Sequence, residues 1–324
     1  MPITVKDFPA LTDDLQSIFN EVAKTKVAEM KGNKVFNVFD TNRRTFDHLI
    51  LHGVDGIQEV TPGQDLPKIT TEEGDSITWT QRYFGAIASI TKEMRKFDLH
   101  NQMDSIVRSL STDAFDKIDQ SLADVLLYGW DTSYTDVYGK SVASVGPDAL
   151  ALFSASHSNN INSNVFSNEI TSNPVLSRAA IVTAITQGRT HKDPTGHIRP
   201  VNLDTLVVAP SNEDLAERIL YSELIPGSAN NDRNTLKGKV KNLIVWERLE
   251  ARSDDTDTSA YWFMYDSSQA KETLQALFAE RPSLDAPDQV YVNKNWEYSC
   301  DFFYTLGLGY AAYVFGSDGT GSAS

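Results

Sequence analysis

The chain has 324 residues, 40% hydrophobic and 23% charged, enough to bury a sizeable core in two domains or in one domain with large insertions. With 29 basic and 44 acidic residues the net charge is −15, so the chain lacks the overall basic footprint with which a duplex-reading protein displaces counterions. No run approaches eighteen apolar residues, and Asp7, Asp13 and Asp14 stand where a signal peptide would be basic and then apolar, so neither a membrane span nor secretion is expected.

Residues 12–31 predict an amphipathic helix, with Thr12 as its cap, Leu15, Ile18, Phe19, Val22 and Met30 on one face, and Gly32 as its stop. From Val35 to about Met94 the chain reads as extended and turn-rich, punctuated by Gly53, Gly56, Pro62, Gly63, Pro67 and Gly74. Ile77–Thr91 returns with strand-forming residues, and Gly85, where the alternation of Trp79 and Tyr83 shifts phase, marks an expected bulge. The pattern is that of a long two-stranded arm, and since an isolated hairpin is marginal in water it needs another surface to lie on.

Residues 98–128 carry the clearest helical period in the sequence, from Leu99 and Met103 through Phe115 and Ile118 to Val125 and Leu126. Asp98 suits its cap and Gly129 its stop, and at 1.5 Å per residue it would span roughly 45 Å. The apolar stripe is wider than a heptad seam, which favours a helix laid across a sheet over a coiled coil. Residues 130–174 are loop-rich, and Val175–Gly188 predicts another helix. In NLDTLVVAPSNEDLAERIL (202–220) a buried strand at Leu206–Val208 ends at Pro210 and turns into a helix, with Ser211 and Asp214 spaced as a capping box. A loop at 226–239 and a strand near Val240–Trp246 follow, while 268–280 fits helix or strand equally. From Trp296 to Val314 every even residue is apolar or aromatic, a long period-two signal that Gly307 and Gly309 are expected to bend, before a flexible tail, GSDGTGSAS.

Apparent chemical motifs fail on context. GLGYAA (307–312) has the letters of a dinucleotide fingerprint, but too few residues follow for a βαβ unit. His191 and His197 flank a Pro-Thr-Gly turn with no third ligand in the sequence. His157 lies among serines without a nucleophile elbow and reads as a hydrogen-bonded loop histidine. Asp254, Asp255 and Asp257 lack the glycine and distal glutamate of a calcium loop and read as a surface turn. No phosphate loop is present, and the single cysteine, Cys300, excludes intrachain disulfides and reads as a core thiol. The sequence therefore nominates no catalytic, cofactor or metal site, and the chain is expected not to be an enzyme.

The order of motifs is more telling than any one of them. An N-terminal arm, a glycine-punctuated extended loop and a long helix precede ALFSASHSN (151–159), the LVVAPSNEDLAERIL corner, NTLKGKVKNLIVWERL (234–249) and an aromatic last strand ending in GYAAYVFGS. In that order the chain resembles the major capsid proteins of tailed bacteriophages, and is similar to the Mu-like prophage major head subunit family with its Hong Kong 97-type fold. The resemblance implies an α+β fold with an N-terminal arm at 1–51 and an extended loop at 52–92. A peripheral domain follows at 93–200 with its spine helix at 98–128, then an axial domain at 201–279, and peripheral return strands and a flexible tail at 280–324. It further implies a self-assembling head protein forming pentamers and hexamers of an icosahedral shell around double-stranded DNA, which the shell contacts non-specifically. The location implied is the virion capsid, assembled in the bacterial host cytoplasm. A separate scaffolding protein, a portal and a decoration protein are the partners implied, with no cofactor and no membrane.

Two sets of contact residues follow as expectations. The acidic turn Glu72, Glu73 and Asp75 is expected to meet Lys92, Arg95 or Lys96 of a neighbouring copy, and Arg233, Lys237 and Lys239 to surround a capsomer axis. Lys68 is, by position, a candidate for crosslinking between neighbours. An encapsulin-type nanocompartment shares the fold and stands as the alternative container, and an α/β enzyme with a scattered site is a third reading.

Overall fold

The computed structural model describes residues 8–51, 57, 59–63, 65–66, 73–97, 102–158, 164–193, 196–225, 232–285, 288–289 and 295–321. Helix α1 (Phe8–Glu29) and the single turn α2 (Gly32–Val35) lead into β1 (Asn37–Asp40), β2 (Thr45–Leu51), β3 (Glu73–Thr80) and β4 (Arg82–Ile90). Two further helices, α3 (Lys92–Phe97) and α4 (Gln102–Leu127), precede the small hairpin of β5 (Ser133–Thr135) and β6 (Ser141–Ala143). Then come α5 (Arg178–Arg189), β7 (Thr205–Val208), α6 (Glu213–Tyr221), β8 (Asn242–Val245) and β9 (Trp262–Tyr265). The chain closes with β10 (Leu274–Leu284), β11 (Asp288–Gln289), β12 (Trp296–Leu308) and β13 (Val314–Ser317).

Helix α4 is the axis of the body. Its 26 residues extend ~39 Å, with Val107, Ile118, Leu122 and Leu126 fully buried. Helix α1 lies along it through Leu15 and Phe19, and the sheet of β4, β10 and β12 contributes Phe278, Cys300, Phe302 and Tyr304 to the same core. A helix between another helix and a sheet is what the wide apolar stripe requires, so the coiled-coil reading fails. Gly129 follows the helix because the Phe153 ring lies where a Cβ would stand, 2.5 Å away. The expected cap, Asp98, lies outside the described residues, and Thr12 is inside α1 rather than at its start.

Two carboxylates are buried on α4, and each accepts hydrogen bonds that offset part of the cost of burial. Asp119 accepts from the Trp246 indole (3.1 Å) and the Gly32 amide (3.2 Å), and Asp124 from the Gln120 amide (2.9 Å) and the Ser253 backbone (3.2 Å). Burial raises both pKa values above the ordinary carboxylate range, and these hydrogen bonds oppose the rise.

The larger sheet pairs β1 in parallel with β10, and sets β10, β11 and β4 antiparallel to β12. The second sheet has the order β13–β9–β7–β8. Its β7, β9 and β13 are buried at every residue, and alternation divides their side chains between two cores. Val207, Phe263, Tyr265 and Val314 face the α4 core, whereas Leu206, Val208, Trp262, Met264 and Phe315 face a second core closed by α5 and α6.

Several expectations change. The register of β4 against β12 runs unbroken from Ile90↔Trp296 to Arg82↔Tyr304, so there is no bulge at Gly85. The phase shift arises at Gln81, where the chain leaves the β2–β3 pair and enters the larger sheet, so Trp79 is buried while Tyr83 is 62% exposed. The two-stranded arm is therefore β2–β3 alone, and β4 belongs to the body. Ser211 does not cap α6: it sits in one turn of 3₁₀ helix, Pro210–Asn212, and its hydroxyl donates to Glu250, while Asp214 pairs with Arg218. The ambiguous 268–280 segment is a 3₁₀ turn at Ala270–Glu272 followed by β10. The tail is held through residue 321, since the Gly321 amide donates to the Asn173 carbonyl at 2.8 Å. Helix α5 and strand β13 pack with the second sheet.

Candidate assembly surfaces

The foot of the β2–β3 hairpin is seated on the body by aromatic stacking. Trp79 stacks on Phe46 (5.9 Å between centroids) and His48 (5.2 Å), and Phe46 meets Phe39 of β1 edge-on. Beneath Trp79 is Gly307 of β12, where a Cβ would lie 2.5 Å from the indole. Glycine at 307 thus permits close approach within a continuous strand, and β12 ends one residue later at Leu308, before Gly309. Away from this seat Ile57 is 95% and Leu66 79% exposed.

Below the hairpin lies a buried polar junction that the sequence motif ALFSASHSN only hinted at. His157, 1% exposed, places Nδ1 2.6 Å from Asp148 and Nε2 3.0 Å from the Asn168 side-chain oxygen. The Asn168 amide group donates to the carbonyls of Leu152 (2.6 Å), Ala311 and Val314 (both 3.1 Å), tying the 152–168 loop to the link between β12 and β13. The Phe166 ring stands between His157 and His191, 5.0 Å from each. Burial pushes the His191 imidazole down to about 4, against the raising influence of Asp193. A small cleft at this junction is lined by Ile50 and Asp75 of the hairpin together with Asp148, His157 and Tyr310. Histidine 157 is thus a buried hydrogen-bonded residue whose partners, Asp148, Leu152 and Asn168, come from the stretch of chain on either side of it.

Of the expected contact residues, Asp75 faces this junction on its own chain. Glu73 begins β3 opposite Leu51, and Glu72 and Lys68 lie outside the described residues. Lys92 and Lys96 are exposed one turn apart on the six-residue α3, with the Lys96 ammonium 5.4 Å from the ring centre of the exposed Phe97. Neither lysine forms an ion pair among the described residues, and the backbone of Arg95 completes the same turn. The structure does not bring Lys92 or Lys96 onto Asp75 within one chain.

The second basic set borders the loop whose residues 226–231 are not described. Lys237 pairs with Glu223 at 3.1 Å, whereas Arg233 and Lys239 are exposed. Their backbone is fixed by Asn234, which the sequence reading missed. It is buried, donates to the Ile219 carbonyl (2.7 Å), and accepts from the Leu236 amide (3.0 Å). Asp254 and Asp257 make short turns onto the amides of Thr256 (3.0 Å) and Ser259 (2.9 Å). Cys300 is buried, which pushes its thiol up to about 12. No helix among the described residues is long and apolar enough to cross a membrane.

Among the described residues no group of three or more His, Cys, Asp or Glu is placed to hold a metal ion; the notable features are a seated hairpin, exposed Ile57 and Leu66, and basic surface turns. Comparison with known proteins agrees. The chain belongs to the phage capsid protein family, whose model matches residues 76–316. Solved structures with a similar fold include the capsid of Myoviridae phage XM1, at 14% identity over 86% of this chain and 88% of that one, with a TM-score of 0.53. The capsid of an empty GTA particle, solved with C5 symmetry, is 11% identical over 91% and 90%, with a TM-score of 0.55. The structure from Gordonia phage Cozz is 8% identical over 91% and 87%, with a TM-score of 0.52. No curated protein sequence matches significantly. The chain is thus an α+β capsid-type protein, structural in role, and its place is the virion capsid.

Proposed function

We propose that this chain is the major head protein of a tailed bacteriophage or prophage, with a Hong Kong 97-type fold similar to Mu-like head subunits. Its copies would form pentamers and hexamers that close an icosahedral shell around double-stranded DNA. The observation that carries the reading is the β2–β3 hairpin, anchored by Trp79 at its foot while Ile57 and Leu66 beyond it stay in solvent. Such a limb is stable enough to be presented and is incomplete without a neighbour. Contacts between different patches of identical chains close rings, and many modest contacts sum to a strong shell. The symmetry of the GTA capsid supports five-fold rings here.

In this reading α4 is the spine of a peripheral domain and residues 201–279 form the axial domain, with Arg233, Lys237 and Lys239 near the symmetry axis. The acidic turn at Glu72, Glu73 and Asp75 meets Lys92, Arg95 and Lys96 of the adjacent copy. The net charge of −15 suits a wall that contains DNA without gripping it. A separate scaffolding protein and a portal complete assembly in the host cytoplasm, with a decoration protein outside. Electron microscopy and nucleic-acid analysis of particles isolated from producing cells test the proposal. Closed shells with packaged duplex DNA are expected; shells holding only protein cargo, or no particles at all, would overturn it.

A further inference from the structure

Strand β4 is an edge of the larger sheet. Its residues 82–90 pair with β12 on one side, and among the described residues no strand pairs with the other. Nine residues make a long edge, and its free N–H and C=O groups are a template for another strand unless charge, proline or a cover blocks them. The segment RYFGAIASI has no proline, and its one charge, Arg82, stands at the end and is engaged by Asp136 at 2.6 Å. Tyr83 and Ile87 are 62% and 67% exposed, and Gly85, Ala86 and Ser89 are exposed as well.

The order of side chains along this edge is self-complementary. When two copies of β4 run antiparallel about a two-fold axis at Ala86, Tyr83 stands opposite Ser89, Phe84 opposite Ala88 and Gly85 opposite Ile87. At each of these pairs a large side chain meets a small one, so the rows interdigitate on both faces of the sheet. The pairing also keeps each face intact. Phe84 stays on the core side with Phe302 (5.6 Å) and Tyr304 (4.8 Å), and Tyr83 stays on the outer side with Phe303 (4.6 Å). No charge on one edge repels the other, since Arg82 falls opposite Ile90.

We infer that β4 pairs edge to edge with β4 of a second copy, joining the larger sheets of two subunits across a two-fold axis at Ala86. The contact is isologous, unlike the ring contacts proposed above, and so it ends at two copies. The inference rests on the shell reading, because one strand pair is marginal in water and holds only alongside the other contacts of a closed particle. To that reading it adds the means by which one ring is joined to the next.

The test expresses the full chain with Ala86→Asp or Ala86→Lys. Ala86 is exposed, so neither change empties a core, and across the axis each sets like charges directly opposite one another, which destabilises a strand pair. Each variant alone should lower particle yield at least tenfold with an unchanged melting temperature of the subunit, and co-expression of the two should restore most of the yield. Wild-type yield from either variant alone, or no recovery on co-expression, would overturn the strand pairing while leaving the shell reading intact. Absence of particles from the wild type would instead refute the shell reading, and this inference with it. As a second measurement, particles carrying Tyr83→Cys with Ser89→Cys are treated with a short bismaleimide. Within one strand these positions are ~20 Å apart, beyond its reach, and Cys300 is 1% exposed and does not compete. Denaturing gels should show crosslinked dimers and nothing larger; uncrosslinked chains, or a ladder of higher species, would overturn the inference.

Discussion

Two regions of this molecule treat their apolar residues in opposite ways. Around α4, Val107, Ile118, Leu122 and Leu126 are enclosed by α1 and the larger sheet of the same chain. Along the hairpin and the segment beyond it, Leu49, Ile57 and Leu66 face solvent. The α4 core is thus enclosed within the chain, while in the proposed reading the limb is completed by a neighbouring copy. Trp79 joins the two regimes, stacking on Phe46 and His48 of the limb and lying against Gly307 of the body.

Substitutions should separate the regions by the size and kind of their effects. Leu122→Ala should destabilise the isolated subunit most, by ~2–5 kcal/mol in denaturant unfolding, because it empties a fully enclosed site. Trp79→Ala should cost ~3 kcal/mol, and in limited proteolysis the hairpin should be cut before the body; simultaneous loss of both would show that the regions are not separable.

The third prediction concerns the polar junction under the hairpin. Below 6.5 the unfolded chain binds a proton on His191 that the native protein refuses until about pH 4. Stability should therefore fall as pH drops through that window, by up to ~3 kcal/mol. Asp119 and Asp124, raised by burial, change stability in the opposite sense, so the contribution is isolated by comparing His191→Gln with the parent. The variant should show a flatter loss between pH 6.5 and 4, and an identical slope would remove His191 from the account.

Ser177→Ala should cost ~1 kcal/mol by removing the side-chain cap on the Ala180 amide at the start of α5. Smallest in stability is Glu72→Lys combined with Glu73→Lys, expected within ~0.5 kcal/mol of the parent. Even so, this double variant should stop shell formation. Particle yield equal to wild type would detach the acidic turn from assembly.

Features set by local periodicity were legible in the sequence. The three- and four-residue spacing of α4 and the alternation of β12 each follow from side chains facing one core. What escaped depends on remote partners. The transfer at Gln81 is invisible locally, because β4 earns its place by pairing with β12 more than two hundred residues away. Asn168 and Asn234 are polar residues in loops, and only the carbonyls that converge on them reveal their structural role. The cleft that Asp75 lines with His157 and Tyr310 has no local signature, because these residues meet only through the fold.

The most direct measurement is hydrogen exchange along the backbone of free subunits and of assembled particles. If neighbouring copies complete the limb, protection over residues 45–80 should rise at least tenfold on assembly while that of α4 stays unchanged. Equal protection of the hairpin in the free and assembled states would contradict the account.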